Sequence, residues 1–245
     1  MHLCLLLLAF FLPPKAQAGE IIGGHESKPH SRPYMAYLQF VAQGVQKKCG
    51  GFLIREDFVL TAAHCLGRPM NVTLGAHNIE KQEKTQQVIP VKRTLPHPDY
   101  DNQYYYNDIM LLQLEKKAKL NAAVQPIKLP RGKDKVKPGK VCLVAGWGRV
   151  EPNGKCSNTL QEVKLKVQKH QVCEQIKYNS TIQICVGDPK ENKASFKGDS
   201  GGPLVCNHVA QGIVSSGKKN GTPPGVYTKV SRFLHWIKET MKRHQ

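Results

Sequence analysis

The chain lacks any apolar run long enough to cross a bilayer as a helix, which takes about 20 residues. Its longest such run, Leu3 to Leu12, falls well short. Polar residues follow this run, then small ones at Ala16 and Ala18, the pattern of a secretory leader cut after Ala18. Residues 1–18 are therefore expected to be removed, leaving a soluble protein with no transmembrane segment in the secretory pathway. Acidic residues are scarce too: 18 Asp and Glu stand against 36 Lys and Arg, a net charge of +18. Lys15 and Glu20 cancel, so loss of residues 1–20 leaves that charge unchanged. A surplus of this size draws a protein to polyanions such as sulfated glycosaminoglycans or proteoglycans. The cations are scattered, at Lys47 and Lys48, over Arg131 to Lys140, at Lys164, Lys166, Lys169, Lys218 and Lys219, and along Lys238 to Arg243. No nucleic-acid-binding motif accompanies them, so no specific nucleic acid is expected.

Helical periodicity is nearly absent. Short runs rich in Val, Ile, Leu and aromatics recur instead between Gly, Pro and Asn clusters, among them "YMAYLQF", "NVTLGA", "DIMLLQL", "VCLVAGWG", "LQEVKLKV" and "GVYTKV". That rhythm predicts an all-β barrel or sandwich. One helix is expected after Ser231, where Phe233, Ile237 and Met241 recur every fourth residue opposite Arg232, Lys238 and Lys242. A second short one is expected in "VQKHQVCEQI". The stretch "LPRGKDKVKPGK" is the most linker-like and divides the chain near its middle, around residues 131–140.

Cys4 falls in the leader, and seven cysteines remain for an oxidising compartment, so one is left unpaired. Asn71, Asn179 and Asn220 each open a glycosylation sequon. In "ASFKGDSGGPLVC", Gly198, Gly201 and Gly202 surround Ser200 and permit a backbone whose N–H groups turn toward one point. A glycine–serine cluster by itself is a turn, so Ser200 needs a base and an orienting group elsewhere. Among ten histidines, His64 closes an apolar run in "FVLTAAHC", with small Ala62 and Ala63 leaving room to fix a ring. No second ligand at zinc spacing lies near it, so no metal is expected. Asp108 opens the apolar "DIMLLQL". The order His64, Asp108, Ser200 is one of the three known chain orders of a Ser-His-Asp triad.

Together "LTAAHC", "DIMLLQL" and "GDSGGPL" resemble the chymotrypsin-like serine proteases, and the resemblance runs from "IIGG" at Ile21 to the C-terminal helix. "IIGGHESKPHSRPYMA", "VTLGAHNI" and "FKGDSGGPLVC" are similar to the granzyme, mast-cell chymase and cathepsin G branch, and within it to granzymes of the B and H type. The resemblance implies two six-stranded antiparallel β-barrels with a C-terminal α-helix and an active site in the cleft between the barrels. It implies His64, Asp108 and Ser200 as a triad, the N–H groups of Gly198 and Ser200 as an oxyanion hole, and no cofactor. It also implies that Gly19-Glu20 is an activation dipeptide removed by a dipeptidyl peptidase, after which the new amine of Ile21 pairs with Asp199. Residues 21–245 would form the protease domain.

By the same resemblance Cys49 pairs with Cys65, Cys142 with Cys206 and Cys173 with Cys185, and Cys156 is left over: a free thiol, a mixed disulfide or a dimer bridge, of which an exposed free thiol is the expectation. Phe196 stands where many relatives carry a further cysteine. Ala194 at the base of the primary specificity pocket and Gly217 and Gly225 along its walls are uncharged, so cleavage is expected after Phe, Tyr, Leu or Met. Ser216 departs from the branch, which carries an aromatic there. A granule-stored, then extracellular, monomeric endopeptidase is implied, with protein substrates and serpin-type inhibitors as partners. Two alternatives remain open: a basic glycan-binding or antimicrobial relative of the azurocidin type with weak catalysis, and a granzyme with Asp preference. The first type loses His or Ser from the triad, whereas all three positions are filled here.

Overall fold

The structure, a computed structural model, describes residues 21–132, 136–149, 151 and 154–244. The leader and the dipeptide Gly19-Glu20 lie outside the described residues. The strands are β1 His25–Glu26, β2 Met35–Ala42, β3 Val45–Arg55, β4 Phe58–Thr61, β5 Met70–Leu74, β6 Gln87–Pro96, β7 Met110–Leu114, β8 Val141–Gly146, β9 Gln161–Lys166, β10 Gln183–Val186, β11 Pro203–Cys206, β12 Val209–Ser216 and β13 Gly225–Lys229, and the helix is α1 Leu234–Arg243.

Strands β2 to β7 close on themselves as a six-stranded antiparallel barrel in the order β2-β3-β4-β7-β6-β5. Its interior is the apolar share of those runs: Leu38, Phe52, Leu53, Val59, Leu60 and Leu111 are fully buried. The second sheet runs β1-β9-β8-β11-β12-β13-β10. Its first member is a two-residue rung on the edge, and the other six curl so that the ends of the run meet. Val167, just beyond β9, bridges Val186 of β10, and Gln168 N–H donates to the Cys185 carbonyl at 2.8 Å. Hydrogen bonding thus closes the second barrel where the regular ladder stops.

The C-terminal helix starts slightly later than its apolar spacing suggests. Val230–Arg232 form a 3-10 turn, Phe233 caps the helix, and Phe233 and Ile237 pack into the core that fills the first barrel. Lys242 and Arg243 in the last turn suit the negative end of the helix dipole. "VQKHQVCEQI" makes only the 3-10 turn His170–Cys173. Disulfides join Cys49 to Cys65, Cys142 to Cys206 and Cys173 to Cys185. Cys156 is free and half-buried, less accessible than an exposed thiol.

Candidate active site

Strand pairing brings His64 and Asp108 together. β4 lies against β7 with Thr61 opposite Met110, so the turn that follows β4 and the segment that precedes β7 sit at the same end of the barrel. The fully buried Asp108 carboxylate holds His64 twice. Oδ2 lies 2.7 Å from His64 Nδ1, and Oδ1 accepts the His64 backbone N–H at 2.9 Å. Facing a carboxylate, Nδ1 carries the proton, and Nε2 is left with a free lone pair. Ser215 Oγ donates to the same Oδ2 at 2.5 Å, and Thr228 Oγ1 donates to the Asp108 carbonyl at 2.8 Å. Tyr105, held with φ of 55°, stands edge-on to the His64 ring with centroids 5.5 Å apart.

Ser200 comes from the second sheet, in the loop before β11. Its carbonyl accepts the Gly50 N–H at 2.7 Å, and Cys65 Sγ lies 3.9 Å from the same oxygen. Gly201 makes this approach possible: with φ of 81°, a Cβ there would sit 2.1 Å from Thr61 Oγ1. The Ser200 loop is therefore pressed against the strand end that carries His64. Gly198 has φ of 104°, and a Cβ on it would lie 2.7 Å from the Gly148 Cα. Among the described residues, the N–H groups of Gly198 and Ser200 have no backbone acceptor.

Asp199 is fully buried. Its Oδ1 accepts the Gly148 N–H and its Oδ2 the Phe196 N–H, each at 2.9 Å. No cationic side chain pairs with it among the described residues. Burial pushes its pKa up to about 7, and the two backbone bonds only partly offset that. Ile21 is fully buried in the core of the second sheet, and the Ile22 carbonyl accepts the Ala194 N–H at 3.1 Å.

A cleft of about 200 Å³ opens beside Ser200, lined by Ala194, Gly217 and Gly225 together with Ser195, Phe196, Ser216 and Tyr227. This is smaller than the roughly 300 Å³ at which small-molecule sites begin, and suits one side chain. Ser195 Oγ and Tyr227 Oη share a hydrogen bond of 2.6 Å, which gives each hydroxyl a partner. A Cβ added to Gly225 would meet Tyr227 at 3.4 Å and the Ser216 carbonyl oxygen at 3.5 Å, ordinary contact, so the backbone there accepts a side chain's first carbon. Lys197, Lys218 and Lys219 also line the cleft.

Sequence reading did not find Ser215, Thr228, Tyr105 or the Ser195–Tyr227 pair. Ser215 was visible only as part of "VSSG", and Tyr105 only by its nearness to Asp108. The one cluster of metal-type ligands among the described residues is Cys49, His64 and Cys65, whose two sulfurs are bonded to each other and so offer no thiolate. Asn71 and Asn220 are exposed, and Asn179 Oδ1 accepts the Thr181 N–H at 2.9 Å.

The family model described as Trypsin matches residues 21–237. Human granzyme B is 66% identical over 247 residues, covering 100% of both chains. Human granzyme H is 63% identical over 242 residues, 98% of each chain, and human cathepsin G is 58% identical over 244 residues, 99% of this chain and 95% of that protein. The solved structure of GrC superposes with a TM-score of 0.88 at 58% identity, covering 91% of this chain and 100% of that one.

Proposed function

The chain belongs to the trypsin family and is a serine endopeptidase, and from that premise we propose that Ser200, His64 and Asp108 are its catalytic triad. The observation that carries this is the double grip of the buried Asp108 on the backbone and ring of His64, at 2.9 and 2.7 Å. His64 Nε2 takes the Ser200 proton as Oγ attacks the peptide carbonyl, then returns it to the leaving amine. Asp108 keeps the ring in the useful tautomer and stabilises the imidazolium. The Gly198 and Ser200 N–H groups receive the oxyanion, about 3 kcal/mol per donor in comparable sites.

The new ammonium of Ile21, released when a dipeptidyl peptidase removes Gly19-Glu20, is the missing partner of Asp199. A buried carboxylate at that depth needs one. The part of the cleft formed by Ala194, Gly217 and Gly225 is uncharged and takes Phe, Tyr, Leu or Met, and burying such a side chain contributes about 2 kcal/mol. The lysines beside it favour acidic residues at neighbouring substrate positions. A granule role in cytotoxic or mast cells, protein substrates, serpin-type inhibitors and sulfated glycan partners complete the reading, with the sequons at Asn71, Asn179 and Asn220 as glycosylation sites.

A small phosphonylating probe applied to the form beginning at Ile21 tests the triad. Labelling is expected for wild type and lost in Ser200→Ala, with His64→Ala labelled at least 100-fold more slowly. An unlabelled wild type that still binds heparin would replace this reading with the azurocidin-type one.

A further inference from the structure

Residues 101–107 form a loop of the first barrel that runs into Asp108, and two of its non-glycine residues are left-handed, Tyr105 with φ of 55° and Asn107 with φ of 54°. Asn tolerates such an angle, but a tyrosine keeps it only where its surroundings hold it. Part of that hold is local. Asp101 Oδ1 accepts the N–H groups of Gln103 and Tyr104 at 2.7 and 3.2 Å, the Asp101 N–H donates to the Tyr106 carbonyl at 3.0 Å, and the rings of Tyr104 and Tyr106 stack. None of these bonds is made by Tyr105 itself.

The rest of the hold comes from the second barrel. Gln183, 1% exposed in β10, donates from Nε2 to the Tyr105 carbonyl at 3.2 Å and accepts the Asn179 N–H on Oε1 at 2.7 Å. Only one orientation of the amide satisfies both neighbours, so its reach toward Tyr105 is fixed from behind. Lys177, at the surface, sets its Nζ 4.5 Å from the centre of the Tyr104 ring and donates to the Gln103 carbonyl at 3.5 Å. A cation over an aromatic face is attracted to it, so Lys177 holds the loop from outside. Tyr105 thereby stands edge-on to the His64 ring, and it is not among the residues lining the cleft beside Ser200.

We propose that Gln183, together with Lys177, is a positioning residue for the reaction, acting through Tyr105 to fix the His64 ring from the second barrel. Asp108 grips that ring at one edge, and a ring gripped at one edge can still tilt about the contact. The packing of Tyr105 resists the tilt that would carry Nε2 away from Ser200. Misplacing a catalytic group by about 1 Å costs up to about 100-fold in rate, so a small tilt matters. Two residues of the second barrel thus align a base carried by the first, and the geometry of the triad depends on how one barrel sits on the other. The inference rests on His64 being the base, as proposed above.

The test uses the form beginning at Ile21, with rates expressed per active site counted by exhaustive labelling with the phosphonylating probe. A short peptide is compared with a blocked single-residue amide, which fills the primary cleft alone and does not reach Tyr105. Lys177→Ala, at an exposed position, is expected to lower kcat about fivefold on both substrates with KM within about twofold of wild type. Gln183→Met, which keeps the length but neither hydrogen bond, is expected to lower kcat about tenfold or more. Lys177→Arg, which keeps the cation and a donor, is expected to recover to within about twofold of wild type. Lys116→Ala removes the same charge from an exposed position elsewhere and is expected to match wild type. A merely structural role would lower the count of active sites and leave the rate per site unchanged. Unchanged rates per site in Lys177→Ala, an equal loss in Lys116→Ala, or a loss seen only with the peptide would overturn the inference. A wild type that takes up no label would overturn the catalytic reading and this inference with it, whereas labelled variants that all match wild type would overturn this inference alone.

Discussion

Asp108 has no solvent to stabilise its charge, so its neighbours must do so, and each of them is a separate handle on catalysis. Replacing Asp108 with Asn keeps the shape but offers His64 an amide in place of a carboxylate. A fall of about 10⁴-fold in kcat with little change in KM is expected from the wrong tautomer. Ser215→Ala removes one charge-assisted hydrogen bond from Asp108 Oδ2 and leaves the ring contact in place. Such a bond is worth about 1.5–3 kcal/mol, so kcat is expected to fall about 10- to 100-fold while KM holds. Steady-state kinetics on one peptide substrate separates these outcomes, and an unchanged Ser215→Ala would mean that the hydroxyl only fills space. The two residues also differ in how legible they were. On local sequence Asp108 reads as a turn aspartate and Ser200 as part of a glycine-rich turn, and each became legible only because the patterns around His64, Asp108 and Ser200 agree in their order along the chain. Ser215 sits in a strand run where a serine looks like any other, and only the fold shows that it points at Asp108.

At the scale of elements, pairing across the barrel does the positioning: β4 against β7 sets His64 beside Asp108, and the loop ahead of β11 brings the Ser200 carbonyl to Gly50 and to Cys65, the residue next to His64. Runs with a full apolar face, such as those of β2, β7, β8 and β9, were visible in the sequence because burial fixes their composition. β1 and β10 were not, since two exposed residues and four continuously buried ones give no alternation to read. The closing bridge at Val167 and Val186 depends on tertiary curvature and leaves no local trace. Gly198 and Gly225 show how backbone elements limit substitution. Gly198→Ala meets both a left-handed φ and the Gly148 backbone, so the oxyanion loop must shift, and a loss of at least 100-fold in kcat is expected from peptide hydrolysis. Gly225→Arg meets only ordinary contact at its Cβ, so the loop stays and the guanidinium enters the cleft. Preference is then expected to move from Phe, Tyr, Leu or Met toward Asp in a positional peptide library. A wild type that already cuts best after Asp or Lys would contradict the neutral pocket.

For the whole molecule, two electrostatic quantities matter: the net charge of +18 outside, and inside the buried carboxylate of Asp199, which pairs with no cationic side chain among the described residues. The first acts through screened fields, so retention on a heparin column is expected to fall steeply with salt. The second couples activation to stability. While residues 1–20 remain attached, the Ile21 nitrogen is an amide, and Asp199 has only two backbone donors. Its carboxyl then titrates near about 7 in the folded chain against an ordinary 3.8, so the folded state binds the proton more tightly than the unfolded one. The contribution of this carboxyl to precursor stability is therefore full at or below about pH 4 and falls as pH rises toward 7, by on the order of 4 kcal/mol, opposite in sign to that of Glu83 and Glu162, whose pKa values are lowered. Releasing the Ile21 amine reverses the sign. If the new amine pairs with Asp199 as proposed, the carboxylate's pKa falls and the ammonium's rises above the free-amine value of about 8. The ion pair's contribution is then full between the ordinary carboxylate and free-amine values, and fades on either side, as pH falls through the folded carboxylate value or climbs through the folded amine value. Thermal unfolding at pH 4.5, 6 and 7.5 is expected to show a falling midpoint for the form that keeps Gly19-Glu20, no such fall for the form that begins at Ile21, and a flattened precursor profile in Asp199→Asn. Parallel profiles for the two forms would mean that Asp199 does not exchange partners on cleavage, and that the oxyanion loop is locked by some other contact.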